Sequence, residues 1–527
     1  MIRLSLLSTM TPGDLIVIGQ HLDAIAELDA SEVELVLSLQ GIDARGRLEI
    51  EAHVSERRLT AQILTAPEGG SLSGALNDAL EASVGQFVLP LVPSDLVSPA
   101  VLEVLDAALR RWQSLDLLYG DDEFQDLETG ETTRVYRPGW SLELHLQADV
   151  IGRVPVLRRS RVRAVGGFAG SRETAGVPEL AMHIADAGGR LVHMPEVLVR
   201  SHRSPDERQI DTAAVEARGA WMGDPATTES RPARNGGLRL RRAIAPGTRV
   251  SVIVPTRGTL DQGRGSTGYL VSRLIESMER TKGIDDELEL EYVIVCDEGF
   301  PDDARQRLSD VAGERLRFIE HVRGPEGFNF ARMVNQGAWA ATGDVLIFVN
   351  DDVAMLTEGW LHDVVPLAMI KDVGAVGIKL LFEDRTVQHV GITIQPAHGG
   401  WPGHQNYRAP RDESGNGGWL SFTREVLAVT GAFLAISRPA FLAVGGFSAA
   451  FTINHNDVDL CLKLRALGYR NLVTPLVSAV HDESASREPG ATVAEMRELK
   501  ARWGSALVSD PYRNPRVSWE TAQPIED

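Results

Sequence analysis

The chain carries one set of sequence marks twice, and this limits its fold more than any composition figure does. At an offset of 258 residues Gly299 falls on Gly41, Asn335 on Asn77 and Gly343 on Gly85. Further along, at 279, Gly445-Gly446-Phe447 falls on Gly166-Gly167-Phe168. At 280, Leu460, Gly468, Arg470 and Pro475 meet Leu180, Gly188, Arg190 and Pro195. The order is kept and only loop lengths change, as expected for two copies of one unit. Each copy alternates short β-branched runs with helical patterns, which reads as an α/β sheet. A chain of 527 residues has room for two such units, each with its own core.

The copies differ where chemistry would sit. In the second, the apolar run Val250 to Val254 reads as a strand buried on both faces and closes in Pro255-Thr256-Arg257-Gly258. The strand Tyr292 to Cys296 ends in Asp297-Glu298-Gly299, and Val345 to Val349 ends in Asn350-Asp351-Asp352. Polar residues at strand ends mark the ligand edge of an open α/β sheet. The first copy offers Leu39 for Asp297, Val92-Pro93-Ser94 for Asn350-Asp351-Asp352, and Val177 for Asp457. His481 meets Ser201 at offset 280 but His202 at 279, so a histidine in both copies is allowed. The expectation is an active second copy and an inactive first.

Asn350-Asp351-Asp352 supplies hard oxygen ligands of the kind that hold a divalent cation on a diphosphate; the same residues suit a plain turn. Asp457 and Asp459 fall at the start of a helical pattern carrying Leu460, Leu462, Leu464 and Leu467, where free N–H groups favour anions. Asp459 reads equally as a helix cap, and Asp457 is the candidate general base. His481, at the end of the run from Leu472 to Val480, suits a metal ligand, a diphosphate contact or a satisfied structural histidine. Arg257 and Arg332 suit phosphate partners or solvated surface groups. His398, Trp401 and His404, in a glycine-containing loop, suit an acceptor sugar or a loop plug.

Several functions are disfavoured. With 53 basic and 73 acidic residues the net charge is −20, which repels nucleic acid and anionic membranes in bulk. Cys296 and Cys461 lie far apart in apolar runs and read as buried small hydrophobes in a reducing compartment. No run approaches the roughly 18 apolar residues of a spanning helix, and Met1 to Gln20 lacks a signal-peptide layout, so the cytoplasm is expected. Gly263-Arg264-Gly265-Ser266-Thr267-Gly268 matches G-x-G-x-x-G, but it lies about eight residues beyond the strand, too far for a dinucleotide turn. It reads as a flexible loop. The stretch Ser204 to Thr248, rich in Arg, Asp, Pro, Gly and Thr, reads as a linker with a short helix near Thr212 to Met222.

Taken in order, Val252-Ile253-Val254-Pro255-Thr256, Val293-Ile294-Val295-Cys296-Asp297, Asn350-Asp351-Asp352, Thr430-Gly431-Ala432, Gly445-Gly446-Phe447, Asn456-Asp457-Val458-Asp459-Leu460 and His481-Asp482-Glu483-Ser484 resemble the family 2 glycosyltransferases. The tail Arg502-Trp503-Gly504 with Asp510-Pro511-Tyr512 is similar to bacterial members that build surface polysaccharides. The first copy resembles a degenerate relative, with Tyr119-Gly120-Asp121-Asp122-Glu123 and Arg137-Pro138-Gly139-Trp140 like segments of two-domain members. The resemblance implies two GT-A (Rossmann-like) α/β domains in tandem: a degenerate domain 1–203, a linker 204–248, a catalytic domain 249–515 and a tail 516–527.

It also implies roles. Asp297 would hold the nucleotide base, with Thr256 and Arg257 lining its pocket and Arg332, Asn335 and Asp351 completing the donor-binding set. Asp352, with His481, would hold Mg²⁺ or Mn²⁺, and Asp457 would be the base of an inverting transfer. Asn350 departs from a strict DxD, and Asn456 stands where many members have Glu. The donor would be a UDP- or dTDP-sugar and the acceptor a glycan or lipid-linked glycan met at the inner membrane face. The loop His398 to Trp419 would set sugar choice. A sugar nucleotidyltransferase and a glycan-binding scaffold are the competing functions.

Overall fold

The computed structural model describes residues 2–67, 69–126, 129–152, 154–169, 176–202, 228–232, 237–261, 268–283, 288–325, 327–395, 399–482 and 493–525. The G-x-G-x-x-G run up to Thr267, the helix near 212–222, His398, Glu483 and Ser484 lie outside the described residues. The chain divides into two units, the first mainly Met1–Pro225 and the second mainly Leu240–Arg513. Among the described residues no helix is long and apolar enough to cross a membrane.

Eight strands form the path of the first sheet: β1 (Leu4–Met10), β2 (Val33–Gln40), β3 (Ala61–Ala66), β4 (Phe87–Leu91), β5 (Asp95–Val97), β6 (Leu115–Gln125), β7 (Val156–Arg158) and β8 (Arg190–Ser201). Their spatial order is β3-β2-β1-β4-β7-β6-β8-β5. The second unit supplies β9 (Thr248–Thr256), β10 (Leu288–Cys296), β11 (Leu316–Glu320), β12 (Val345–Val349), β13 (Val353–Met355), β14 (Val373–Leu381), β15 (Phe433–Ser437) and β16 (Arg470–His481). Their order, β11-β10-β9-β12-β15-β14-β16-β13, is the first order repeated. Strand directions repeat too: β7 and β15 run antiparallel to both neighbours, as the short edge strands β5 and β13 do to β8 and β16. The remaining pairs on the path are parallel.

The apolar strands of the second sheet have a simple cause. In β9, Val250, Val252 and Val254 join one core, with Leu274, Ile275 and Met278 of the helix Leu270–Thr281. Ile253 joins the other, with Met333 and Val334 of the helix Phe330–Ala340. Both faces are covered, so the strand interior is apolar except at Ser251.

The residues matched by offset do matching work. Ser251 donates to Glu291 (2.6 Å) and accepts from the Gly343 amide (2.7 Å). Ser5 likewise donates to Glu34 and accepts from the Gly85 amide. A Cβ on either glycine would overlap its serine. Asn335 clamps Phe447 by both backbone groups, at 2.8 and 3.0 Å. Asn77 clamps Phe168 in the same way, at 2.8 Å for each bond. Gly446 and Gly167 adopt φ of 72° and 81° beside these amides, a conformation and a closeness that only glycine accepts readily.

Strand register corrects two of the pairings made by offset. Thr256 pairs with Cys296 as Met10 pairs with Leu39, so the counterpart of Asp297 is Gln40, not Leu39. Val353 faces His481 as Asp95 faces Ser201. The Asp482 amide bonds to the Asp352 carbonyl (3.1 Å) as the His202 amide bonds to that of Ser94 (3.2 Å). His202 therefore matches Asp482, and Ser201 stands where the second unit has His481. Within 204–248, read as a linker, Thr228–Pro232 and Leu238–Arg242 pair as a two-stranded sheet.

Candidate active site

Strands β9, β10, β12, β14 and β16 all point the same way, so their C-terminal ends share one edge. Strand order reverses between β9 and β12, the switch point at which open α/β sheets leave a crevice. Thr256, at the end of β9, donates its hydroxyl to Asp351 Oδ2 (2.7 Å) across that point. Asp297 follows β10; its amide bonds to the Thr256 carbonyl at 2.8 Å.

The turn Asn350-Asp351-Asp352 joins β12 to the edge strand β13. Asp352 is 2% exposed, and His481 Nε2 stands 3.2 Å from its Oδ1. The approach is close but not aligned as a hydrogen bond, and Oδ1 accepts none. The other side of the ring explains the arrangement. Nδ1 lies 2.6 Å from Oε1 of Gln388, whose own amide nitrogen donates to the His481 carbonyl at 3.3 Å. A carbonyl accepts only, so it turns the Gln388 nitrogen toward itself and the oxygen toward Nδ1. That nitrogen then carries the ring proton, and in the neutral ring Nε2 presents a lone pair to a buried carboxylate oxygen. The Asn350 side-chain amide also reaches Nε2, at 3.5 Å, so an amide, an imidazole nitrogen and a carboxylate oxygen meet at this turn. This donor set fits a divalent cation, with diphosphate oxygens and water filling the remaining positions. Among the described residues no three His, Cys, Asp or Glu side chains form a metal cage. Asp352 and His481 are the two residues here that could hold such an ion.

Asp457 lies in the first turn of the helix Asn456–Ala466. Its Oδ2 accepts from the Gly431 amide and its Oδ1 from the Val458 amide, both at 2.8 Å. The next residue, Ala432, accepts from the Asn350 amide at 3.1 Å. Thr430-Gly431-Ala432 thus ties the candidate base to the carboxylate turn, through one amide-to-carboxylate bond and one backbone bond. His455, just before that helix, holds φ of 61°, the left-handed conformation that Gly176 (65°) adopts before the matching helix of the first unit.

Other expected residues have different surroundings. Asn335 has its amide committed to Phe447, and the same clamp exists as Asn77 on Phe168 in the first unit. Asp459 does not cap its helix. It is fully buried and accepts from Trp503 Nε1 (2.9 Å) and Arg502 Nη1 (3.3 Å). Arg257 and Arg332 are exposed; the Arg257 Nε donates to Thr259 at 3.2 Å, and Arg332 gives its amide to the cap residue Asn329 at 3.0 Å. Trp401 and His404 lie on the strand Trp401–His404, where His404 bonds to the buried His389 at 2.8 Å. Burial, with His404 adding to it, pushes the His389 imidazole well below the ordinary histidine value.

Sequence reasoning missed three groups. Arg323 forks onto Asp297, with Nε at 2.9 Å from Oδ1 and Nη2 on Oδ2, and holds that carboxyl below the usual range. Arg273 donates to the Asp352 carbonyl (3.3 Å) and to Asp482 (2.7 Å), bracing the turn from behind. Gln388 sets the His481 tautomer. None of the three lies in a motif; each reaches the site from a distant part of the chain.

Residues 251–412 match the model described as glycosyl transferase family 2. The O-antigen biosynthesis protein RfbC of Myxococcus xanthus is 28% identical over 480 residues, which cover 88% of this chain and 36% of that protein. The uncharacterized protein y4gI of Sinorhizobium fredii is also 28% identical over 480 residues, 86% of this chain and 50% of its own. The chain thus spans between about a third and a half of the length of the curated relatives it matches. The mannosyltransferase PcManGT of Pyrobaculum calidifontis, solved with GDP-Man and Mn²⁺, aligns with a TM-score of 0.33 and 18% identity over 55% of this chain and 69% of that one. The matched segment holds Asp297 and the turn Asn350-Asp351-Asp352, and over it the chain is similar to the glycosyl transferases of family 2.

Proposed function

We propose that the second unit moves a sugar from a nucleoside-diphosphate donor to a hydroxyl of a glycan or lipid-linked glycan, with inversion at the anomeric carbon, in the making of a surface polysaccharide. The observation that carries this reading is the buried Asp352 oxygen facing His481 Nε2, joined to Asp457 through Thr430-Gly431-Ala432. The family match and the name of the Myxococcus xanthus relative support the substrate class.

In this reading Asp352 and His481 hold Mn²⁺ or Mg²⁺, which when bound neutralises charge developing on the leaving diphosphate. Asp297 takes the nucleotide base once Arg323 swings off it, with Thr256, Arg257, Asp351 and Arg332 completing the donor side. Asp457 takes the proton of the acceptor hydroxyl. Its two amide bonds hold the carboxylate in one orientation, so the incoming oxygen meets a fixed acceptor. Domain 1–203 is a non-catalytic copy: Gln40, Ser94 and Ser201 stand where Asp297, Asp352 and His481 stand in the domain 249–515. Such a protein would work in the cytoplasm, against the inner membrane face when its acceptor is lipid-linked.

The test is release of nucleoside diphosphate from UDP-, dTDP- and GDP-sugars with Mn²⁺, by wild type and Asp352→Ala. Metal-dependent release from one donor class, lost in the variant, supports the reading. Release that is indifferent to both metal and variant overturns it.

A further inference from the structure

The C-terminal helix Val493–Trp503 grips the segment that carries Asp457 on both sides. On one side Glu495, 3% exposed, accepts three bonds on a single carboxylate oxygen: from Thr452 Oγ1 (3.1 Å), the Ile453 amide (2.8 Å) and the Asn454 amide (3.1 Å). On the other, Trp503 Nε1 and Arg502 Nη1 reach the buried Asp459. Trp503 lies eight positions after Glu495, about 12 Å along the helix, a rigid bar across the segment. Asp457 sits between the two grips.

Two features show why a grip is needed. His455, just after the Glu495 bonds, holds a left-handed φ that the first unit gives to a glycine. A side chain in that conformation persists only where surrounding contacts over-determine it. The amides of Ile453 and Asn454 also need acceptors before the helix begins, and the Glu495 oxygen answers both. A carboxylate makes stronger bonds to amides than a neutral group does.

We propose that Glu495 is a positioning residue for the transfer: through the 452–455 segment it sets the direction in which the Asp457 carboxylate faces the acceptor hydroxyl. This rests on the proposed function, since Asp457 matters only if the unit transfers a sugar. The Glu495 oxygen bonds to the 452–454 segment, so its loss should act on turnover and leave donor binding intact.

The experiment compares wild type, Glu495→Ala, Glu495→Gln and Trp503→Phe in the full chain, by steady-state kinetics and amide hydrogen exchange. In Glu495→Ala, kcat should fall by at least ~10-fold with donor KM within about 2-fold, the pattern of an interaction used in the transition state. Exchange at Ile453 and Asn454 should rise by at least ~10-fold, because their acceptor is gone. Glu495→Gln keeps an acceptor oxygen and should recover most of the turnover. Trp503→Phe loosens the other grip, and if Glu495→Ala does not fold it should show the same kcat fall with KM unchanged. Unchanged exchange in a folded Glu495→Ala overturns the proposal, as does a fall in kcat matched by an equal rise in KM. In the Trp503→Phe arm, an unchanged kcat overturns it as well. A wild type that turns over no donor sinks the transfer reading instead, and the exchange arm still decides whether Glu495 holds the segment.

Discussion

Gln388 holds His481 at two points, its oxygen accepting from the ring Nδ1 at 2.6 Å and its nitrogen donating to the His481 carbonyl at 3.3 Å. The imidazole is therefore aimed: Nε2, and not Nδ1, faces Asp352.

Gln388→Leu should release the ring and weaken Mn²⁺ binding by about 10- to 100-fold, the usual cost of losing a partner behind a metal ligand. Metal-free nucleotide binding should stay as it was. Titration with Mn²⁺ followed by its electron paramagnetic resonance signal reads the first quantity directly. An unchanged Mn²⁺ affinity would mean that His481 is not a ligand.

Asp457→Asn keeps an oxygen for the Gly431 amide but cannot accept a proton. Turnover should drop by roughly 10²- to 10⁴-fold, the range for a lost general base, with nucleotide affinity unchanged. Loss of turnover and affinity together would assign Asp457 a structural role.

Asn335→Ala breaks both bonds to Phe447 and should cost about 1–3 kcal/mol of stability. Asn77→Ala should cost a similar amount in the first unit. Activity per folded molecule should survive in both, as seen from denaturant titration beside initial rates. A loss of donor affinity in Asn335→Ala alone would return that residue to the site.

Glu279, in the helix Leu270–Thr281, gives the pH dependence. Burial by itself would raise its carboxyl, but bonds from Arg315 (2.7 and 2.6 Å), Lys282 (2.9 Å) and Tyr292 (2.5 Å) hold it down at about 2. Its folded value is thus depressed below the ordinary 4.5. The stabilisation is complete above that unfolded value and is lost as pH falls toward about 2. Glu279→Gln should therefore lower stability at pH 7, and the gap from wild type should close through this acid window. A gap that persists at the acid end would mean that the charge is not what matters.

The sequence showed the tandem architecture because the repeated residues are those the scaffold cannot do without. Gly343 and Gly85 leave room for a serine, and Asn335 and Asn77 clamp a phenylalanine, whatever the strand ends carry. The persistence of that amide in the copy without the strand-end carboxylates is what the Asn335→Ala comparison probes. The turn Asn350-Asp351-Asp352 was legible because polar residues follow an apolar strand. Gln388 and Arg323 were not, because they lie 93 and 26 residues from the groups they bond. Leu39 in place of Gln40 was a slip of one residue: strand pairing sets register, and changes of loop length hide it from any fixed offset.

The most direct test is thermal unfolding of wild type and Asp352→Ala with UDP, dTDP or GDP, each with and without Mn²⁺. A ligand that binds only the folded state adds about 2.7 kcal/mol at a hundredfold excess over its Kd. The account predicts a Mn²⁺-dependent rise with one nucleotide class in wild type and none in Asp352→Ala. Equal rises in both proteins, or none with any nucleotide, would contradict it.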